Sequence, residues 1–159
     1  LLERPEEHSM EKAAAFGAQG CVADVTKPES LDLAFAESGD PDVMIVNAGV
    51  GVASSFSNTT RDMWDRTISV NLTGAFHTMQ VAAQRMKRRG RGGAIVVTAS
   101  TNSFDGEPNL SAYNASKAGL LGLVRTAAGE LGPDGIRVHA VCPGRIRTRL
   151  DRTQFENGT

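Results

Sequence analysis

Residues 94–100 read AIVVTAS, an apolar run that closes on a hydroxyl. A strand with one face in water alternates apolar and polar side chains; this one does not, so it reads as a strand buried on both faces. Gly90, Gly92 and Gly93 break the pattern before it, and TNSFDGEPN at 101–109 is rich in turn formers after it. Three further segments read as strands of the same kind: GCVADV at 20–25, DVMIVN at 42–47 and IRVHAVC at 136–142. Helical patterns fall between them. One runs from Arg4 to Phe16 and stops at Gly17 and Gly20, and one runs from Pro28 to Glu37, opened by Thr26 and Lys27 and closed at Ser38–Gly39. The longest spans about Arg61 to Arg88, with Thr60 placed to cap it and Met63, Trp64, Thr67, Ile68, Leu72, Ala75, Phe76, Met79 and Ala83 at helical spacing. A last one covers about Ser111 to Leu131 and ends at Gly132, Pro133 and Gly135. Buried strands alternating with helices indicate a parallel sheet covered on both faces, a doubly wound α/β arrangement.

Composition narrows the functional classes. The 159 residues are 40% hydrophobic and 22% charged with a net charge of -1, which fits one folded domain over residues 1–159. No global basic field recommends nucleic acid or an anionic membrane as a partner, and no apolar run approaches the roughly 20 residues of a membrane helix. The basic run Lys87, Arg88, Arg89, Arg91 closes a helix, where cations suit the negative end of the helix dipole. Cys21 and Cys142 lack CxxC spacing, and His8, His77 and His139 have no carboxylate or cysteine at ligand spacing, so neither a disulfide framework nor a metal site is expected. A reducing cytoplasm fits this cysteine usage.

In a doubly wound sheet, ligands bind at the carboxyl ends of the strands. Here those ends carry Asp24, then Asn47 with Ala48 and Gly49, Ser100, and Cys142 followed by Pro143 and Gly144. The following helix opens SAYNASKAG at 111–119, with the chain's only tyrosine, Tyr113, four residues before Lys117. Positions four apart share a helix face, so the ammonium can act on the phenol. A tyrosine with a reference pKa of about 10 has its phenolate favoured by a nearby cation, which makes it a usable acid/base. Small residues around the pair admit a ligand, and Ser100 could donate to a substrate oxygen beside the phenol. Arg145, Arg147 and Arg149 alternate along a loop by the crevice and read as solvated, with an anionic substrate as the alternative.

NAG at 47–49, SVNLTGAF at 69–76, Ser100, SAYNASKAG and IRVHAVCPGRIRT at 136–148 together resemble the short-chain dehydrogenase/reductase family in its single-domain, Rossmann-like form. The resemblance implies an NAD(P)-dependent oxidoreductase that interconverts a secondary alcohol and a ketone by hydride transfer. It gives Tyr113 the acid/base role, Lys117 support of the phenolate and binding of the nicotinamide ribose, Ser100 orientation of the carbonyl, and Asn71 the anchoring of a relay water. Asp24 and Val25 match the residues at the adenine, Asn47, Ala48 and Gly49 the stretch along its ribose, and Pro143, Gly144, Ile146 and Thr148 the turn under the nicotinamide. His139 stands where the family more often has asparagine. The helices at 61–88 and 111–131 match those that pair in the family's homodimers and homotetramers.

The family's glycine-rich TGxxxGxG turn is not among these residues, nor is the strand before it. In a 3-2-1-4-5-6 order GCVADV becomes the third strand and DVMIVN the fourth, so the first two, which belong between them, are missing, as is the last. With a first residue of leucine, the chain is expected to be the middle of a protein of about 250 residues. Taken alone it is expected to be marginally stable and without activity, and the alternative reading is a non-catalytic fragment or assembly module. The choice between NAD and NADP, and the substrate, depend on segments outside these residues.

Overall fold

A computed structural model of the chain describes residues 2–3 and 13–146. Within them the strands are β1 (Leu2–Glu3), β2 (Cys21–Val22), β3 (Val43–Val46), β4 (Gly93–Thr98) and β5 (Ile136–Val141). The helices are α1 (Pro28–Ser38), α2 (Arg61–Ile68), α3 (Gly74–Arg89) and α4 (Ser111–Leu131). All described strand pairs are parallel, in one two-stranded unit, β1–β2, and one three-stranded sheet ordered β3–β4–β5. The architecture is Rossmann-like α/β, as expected, with the strands divided between two sheets; β1, paired in parallel beside β2, stands in the place of one of the two strands expected to be missing.

Three differences from the sequence reading have local causes. Ahead of the helix expected from Arg4 stands a strand, β1, which exists through its pairing of Leu2 with Cys21 and Glu3 with Val22; the start of that helix lies outside the described residues. GCVADV keeps only two strand residues, because Asp24 turns the chain: its carboxylate accepts from the Thr26 amide at 3.0 Å and hydroxyl at 2.6 Å. The helix read as continuous from 61 to 88 is instead α2 and α3 joined by a π-helical turn over Ser69–Thr73, centred on Asn71. Thr60 caps α2 as expected, accepting from the Met63 amide.

The core lies on one side of the β3–β4–β5 sheet. Met79, Ala82 and Met86 of α3 and Leu120 and Val124 of α4 pack over Ile95, Val97 and Val138, and Leu31 and Phe35 of α1 extend the same cluster. The opposite face is not covered by described residues, contrary to the expectation of two covered faces: Val43, Ile45 and Val141 are 58%, 63% and 52% exposed. That apolar surface in water costs on the order of 25 cal/mol per Å², a physical ground for marginal stability of these residues by themselves. The basic run at the end of α3 is structural, with Lys87 on Asp134 at 2.8 Å and Arg89 on Asp42 at 2.7 Å.

Candidate active site

The carboxyl ends of β3, β4 and β5 meet around one buried ammonium. Backbone bonds from Ala99 to Val141 at 2.8 Å and from Thr101 to Pro143 at 3.0 Å carry the β4–β5 pairing past the strands, so Ser100 and the Pro143–Gly144 turn lie side by side. Lys117, on the second turn of α4, is 5% exposed, and its Nζ donates to the Thr98 carbonyl at 2.7 Å. The same Nζ stands 5.6 Å from the centroid of the Tyr113 ring, so the i,i+4 spacing does bring the pair together. Gly49 borders them: a Cβ there would lie 3.9 Å from Lys117 Nζ and 3.6 Å from Asn71 Oδ1.

Asn71 is almost wholly buried and spends its side chain on structure. Its Oδ1 accepts from the Val50 amide at 2.8 Å, and its Nδ2 donates to the Val50 carbonyl at 2.9 Å and to Ser116 Oγ at 3.1 Å. The π turn is what lets an internal helix residue reach a loop twenty-one positions back. Ser100 Oγ accepts from the Asn102 amide at 3.1 Å and donates to Asn102 Oδ1 at 3.3 Å, capping a short 3₁₀ turn over Thr101–Ser103.

The other expected residues divide. Asn47, Ala48 and Gly49 follow β3 directly into the crevice. Asp24 follows β2, its carboxylate engaged by Thr26, while Val25 is buried in the core against Gly74. Ile146 is 59% exposed; Thr148, Arg147 and Arg149 lie outside the described residues. Arg145 is not simply solvated: it pairs with Glu107 at 2.9 Å, tying the turn after β5 to the loop after β4. A separate concavity of about 410 Å³, lined by Phe56, Trp64, Glu107, Asn109, Ser111 and Asn114, includes none of Asn71, Ser100, Tyr113 or Lys117. The described residues contain no group of three His, Cys, Asp or Glu placed to hold a metal, and no helix long and apolar enough to cross a membrane.

Sequence reasoning missed the residues that link this group. Ser103 and Ser116 carry hydroxyls that join its members, yet Ser116 read only as a small residue and Ser103 as part of a loop. The one available signal was that both hydroxyls fall within four residues of a predicted site residue.

Burial lowers the Lys117 pKa from 10.5 to about 8, opposed by the Cys142 thiol beside it, which raises it. Between pH 8 and 10.5 the unfolded chain holds the proton that the folded chain has lost, so this group makes stability rise with pH over that window. The expected gain is ~3 kcal/mol, and urea denaturation at pH 7.5 and 10 with Lys117→Met as reference measures it: the parent gains relative to the variant.

A profile of the short chain dehydrogenase family matches residues 2–158. The chain is 40% identical over 153 residues to an L-rhamnose 1-dehydrogenase (NAD(P)(+)) of Azotobacter vinelandii, covering 92% of this chain and 60% of that protein. It is 37% identical over 137 residues to a D-beta-hydroxybutyrate dehydrogenase of Rhizobium meliloti, covering 84% and 53%. Among solved structures, a short-chain type dehydrogenase/reductase from Mycobacterium marinum superposes with a TM-score of 0.85 at 32% identity, over 94% of this chain and 62% of that one. The chain therefore belongs to the short chain dehydrogenase family, and it spans between half and two thirds of the length of these relatives.

Proposed function

We propose that the complete protein carrying this chain is an NAD(P)-dependent oxidoreductase that interconverts a secondary alcohol and a ketone, with Tyr113 as general acid/base. The observation that carries this reading is the buried ammonium of Lys117, fixed by the Thr98 carbonyl and set against the Tyr113 ring. Burying a cation costs free energy, and a fold that bears this with no carboxylate partner among the described residues is using the charge for something else.

The residues present suit the nicotinamide half of the cofactor. Lys117 uses one of its three N–H donors on Thr98 among the described residues, leaving two for a ribose diol, and Asn47–Gly49 bring backbone with small side chains alongside. Bound there, NAD or NADP would supply the site that accepts or gives up hydride. This chain's own groups do the rest. Tyr113 takes or returns the proton of the substrate hydroxyl, Lys117 stabilises negative charge on the phenolic oxygen, and Ser100 turns its proton from Asn102 Oδ1 to the same substrate oxygen. Because the Asn71 amide is committed to Val50 and Ser116, a relay water falls to the backbone of the π turn rather than to the Asn71 side chain. Asp24 and Val25 would border the adenine, and Pro143, Gly144, Ile146 and Thr148 the carboxamide end.

The likeness to a rhamnose and a hydroxybutyrate dehydrogenase favours a small, polar, hydroxylated substrate, and the unpaired cysteines are compatible with a cytoplasmic protein. A homodimer or homotetramer built on α2–α3 and α4 completes the reading. The test is absorbance at the nicotinamide band, for the full-length protein with each cofactor and a panel of sugars, hydroxy acids and simple alcohols; no turnover with any member would count against it. A second reading, that the chain alone is an inactive fragment, is favoured by the division of the described strands into two separate sheets, β1–β2 and β3–β4–β5. Tight binding of NADH or NADPH to the isolated chain would defeat it.

A further inference from the structure

Resting on the reading just given, we propose that two serines outside the reacting set, Ser103 and Ser116, are positioning residues that fix the spacing of Asn71, Ser100, Tyr113 and Lys117. These four lie on three separate elements, the π turn, the end of β4 and the helix α4, and elements packed only by apolar contact hold polar groups to no particular hydrogen-bonding geometry. Each serine supplies a two-sided link. Ser116 Oγ donates to the Tyr113 carbonyl at 2.7 Å and accepts from Asn71 Nδ2 at 3.1 Å, joining the π turn to the helix turn that carries the phenol. Ser103 Oγ donates to the Lys117 carbonyl at 2.9 Å and accepts from the Ser100 amide at 3.3 Å, joining the end of β4 to the turn of α4 that carries the ammonium.

The two links tie α4 to two different elements, the π turn and the end of β4. One sets the depth at which the helix meets Asn71 and the other its distance from Ser100, so Tyr113 is held between them. Both hydroxyls use their single proton on a helix carbonyl and their lone pairs on the partner element, which defines the direction of each bond. Ser116 is fully buried, so nothing from solvent replaces it; Ser103 is only half buried. Neither hydroxyl is needed to bind or transfer anything, which is why its loss should appear in turnover rather than in affinity.

The experiment uses the full-length protein in the nicotinamide assay, with Ser103→Ala, Ser116→Ala, Ser103→Thr and Tyr113→Phe. Each alanine variant is expected to lower kcat by ~10-fold or more while KM for the cofactor stays within about twofold. The pH midpoint of activity should move by about half a pH unit or more in both, because α4, and with it the phenol and the ammonium, no longer holds its place against Ser100 and the Thr98 carbonyl. Ser103→Thr, which keeps the hydroxyl, should recover most of the turnover. Ser103 is far enough toward the surface for its alanine variant to fold even if Ser116→Ala does not. The proposal is overturned if Ser103→Ala keeps kcat within about a factor of two, or if its loss follows a lowered Tm with an unmoved pH profile. Tyr113→Phe separates the two readings: if it abolishes turnover and the serine variants do not, only the positioning role fails; if it does not, the reading of the site fails and the positioning role with it.

Discussion

Gly92→Ala is expected to remove most of the stability of the protein, a loss of ~3 kcal/mol or more by urea denaturation. Gly92 has φ +68°, a left-handed backbone that costs an L-residue roughly 1 kcal/mol. The larger effect is contact: a Cβ would stand 2.5 Å from the Gly135 carbonyl oxygen and 3.1 Å from its carbon. That carbonyl accepts from the Gly93 amide at 3.2 Å and starts the pairing of β4 with β5, so it cannot retreat without loosening the strands that present Ser100 and Pro143. Gly90 is the control. Its φ is +69°, but nothing lies within 4 Å of its would-be Cβ, so Gly90→Ala should cost only the backbone term of about 1 kcal/mol. Equal losses at the two positions would mean that the approach of the Gly92 and Gly135 backbones carries no energy.

Lys117→Met should lower turnover by ~10³-fold while leaving stability near neutral pH unchanged or raised. A methionine fills most of the same volume, and the ammonium it replaces is held in the core, among the described residues, by the Thr98 carbonyl at 2.7 Å. Burial lowers the pKa of this group to about 8, which means that the folded protein bears a cost for the charged form at lower pH. A residue that is unfavourable for the fold yet kept in the core is best explained by what it does to Tyr113. Measuring kcat and the urea midpoint on the same preparation decides the matter: loss of both together would make Lys117 a structural residue.

Much of this arrangement was legible in the sequence because it depends on local pattern. AIVVTAS, DVMIVN and IRVHAVC are strands since their runs are short, apolar and bounded by turn residues, and Tyr113 and Lys117 meet because helix geometry requires it. What was not legible depends on distant partners. The π turn at Ser69–Thr73 has no sequence period of its own; it goes with Asn71 reaching Val50 and Ser116, contacts that no window on α2 or α3 contains. β1 is two residues long and is a strand only because Cys21 and Val22 lie beside it. Asp24 was readable as a strand-end carboxylate, but not that Thr26 would engage it and shorten the strand. The directions of the Ser103 and Ser116 hydroxyls follow from how α4 seats against β4, which is a tertiary matter.

The reading of the crevice as an acid/base centre is tested most directly by Tyr113→Phe in the full-length protein, followed by absorbance at the nicotinamide band with whichever substrate the parent turns over. Phenylalanine keeps the ring and its packing beside Lys117 and removes only the hydroxyl that would exchange the proton. The expected result is a fall in kcat of ~10³-fold or more with cofactor affinity within a few-fold of the parent. Turnover retained to within a few-fold would contradict the account, because the proton would then be handled by some other group.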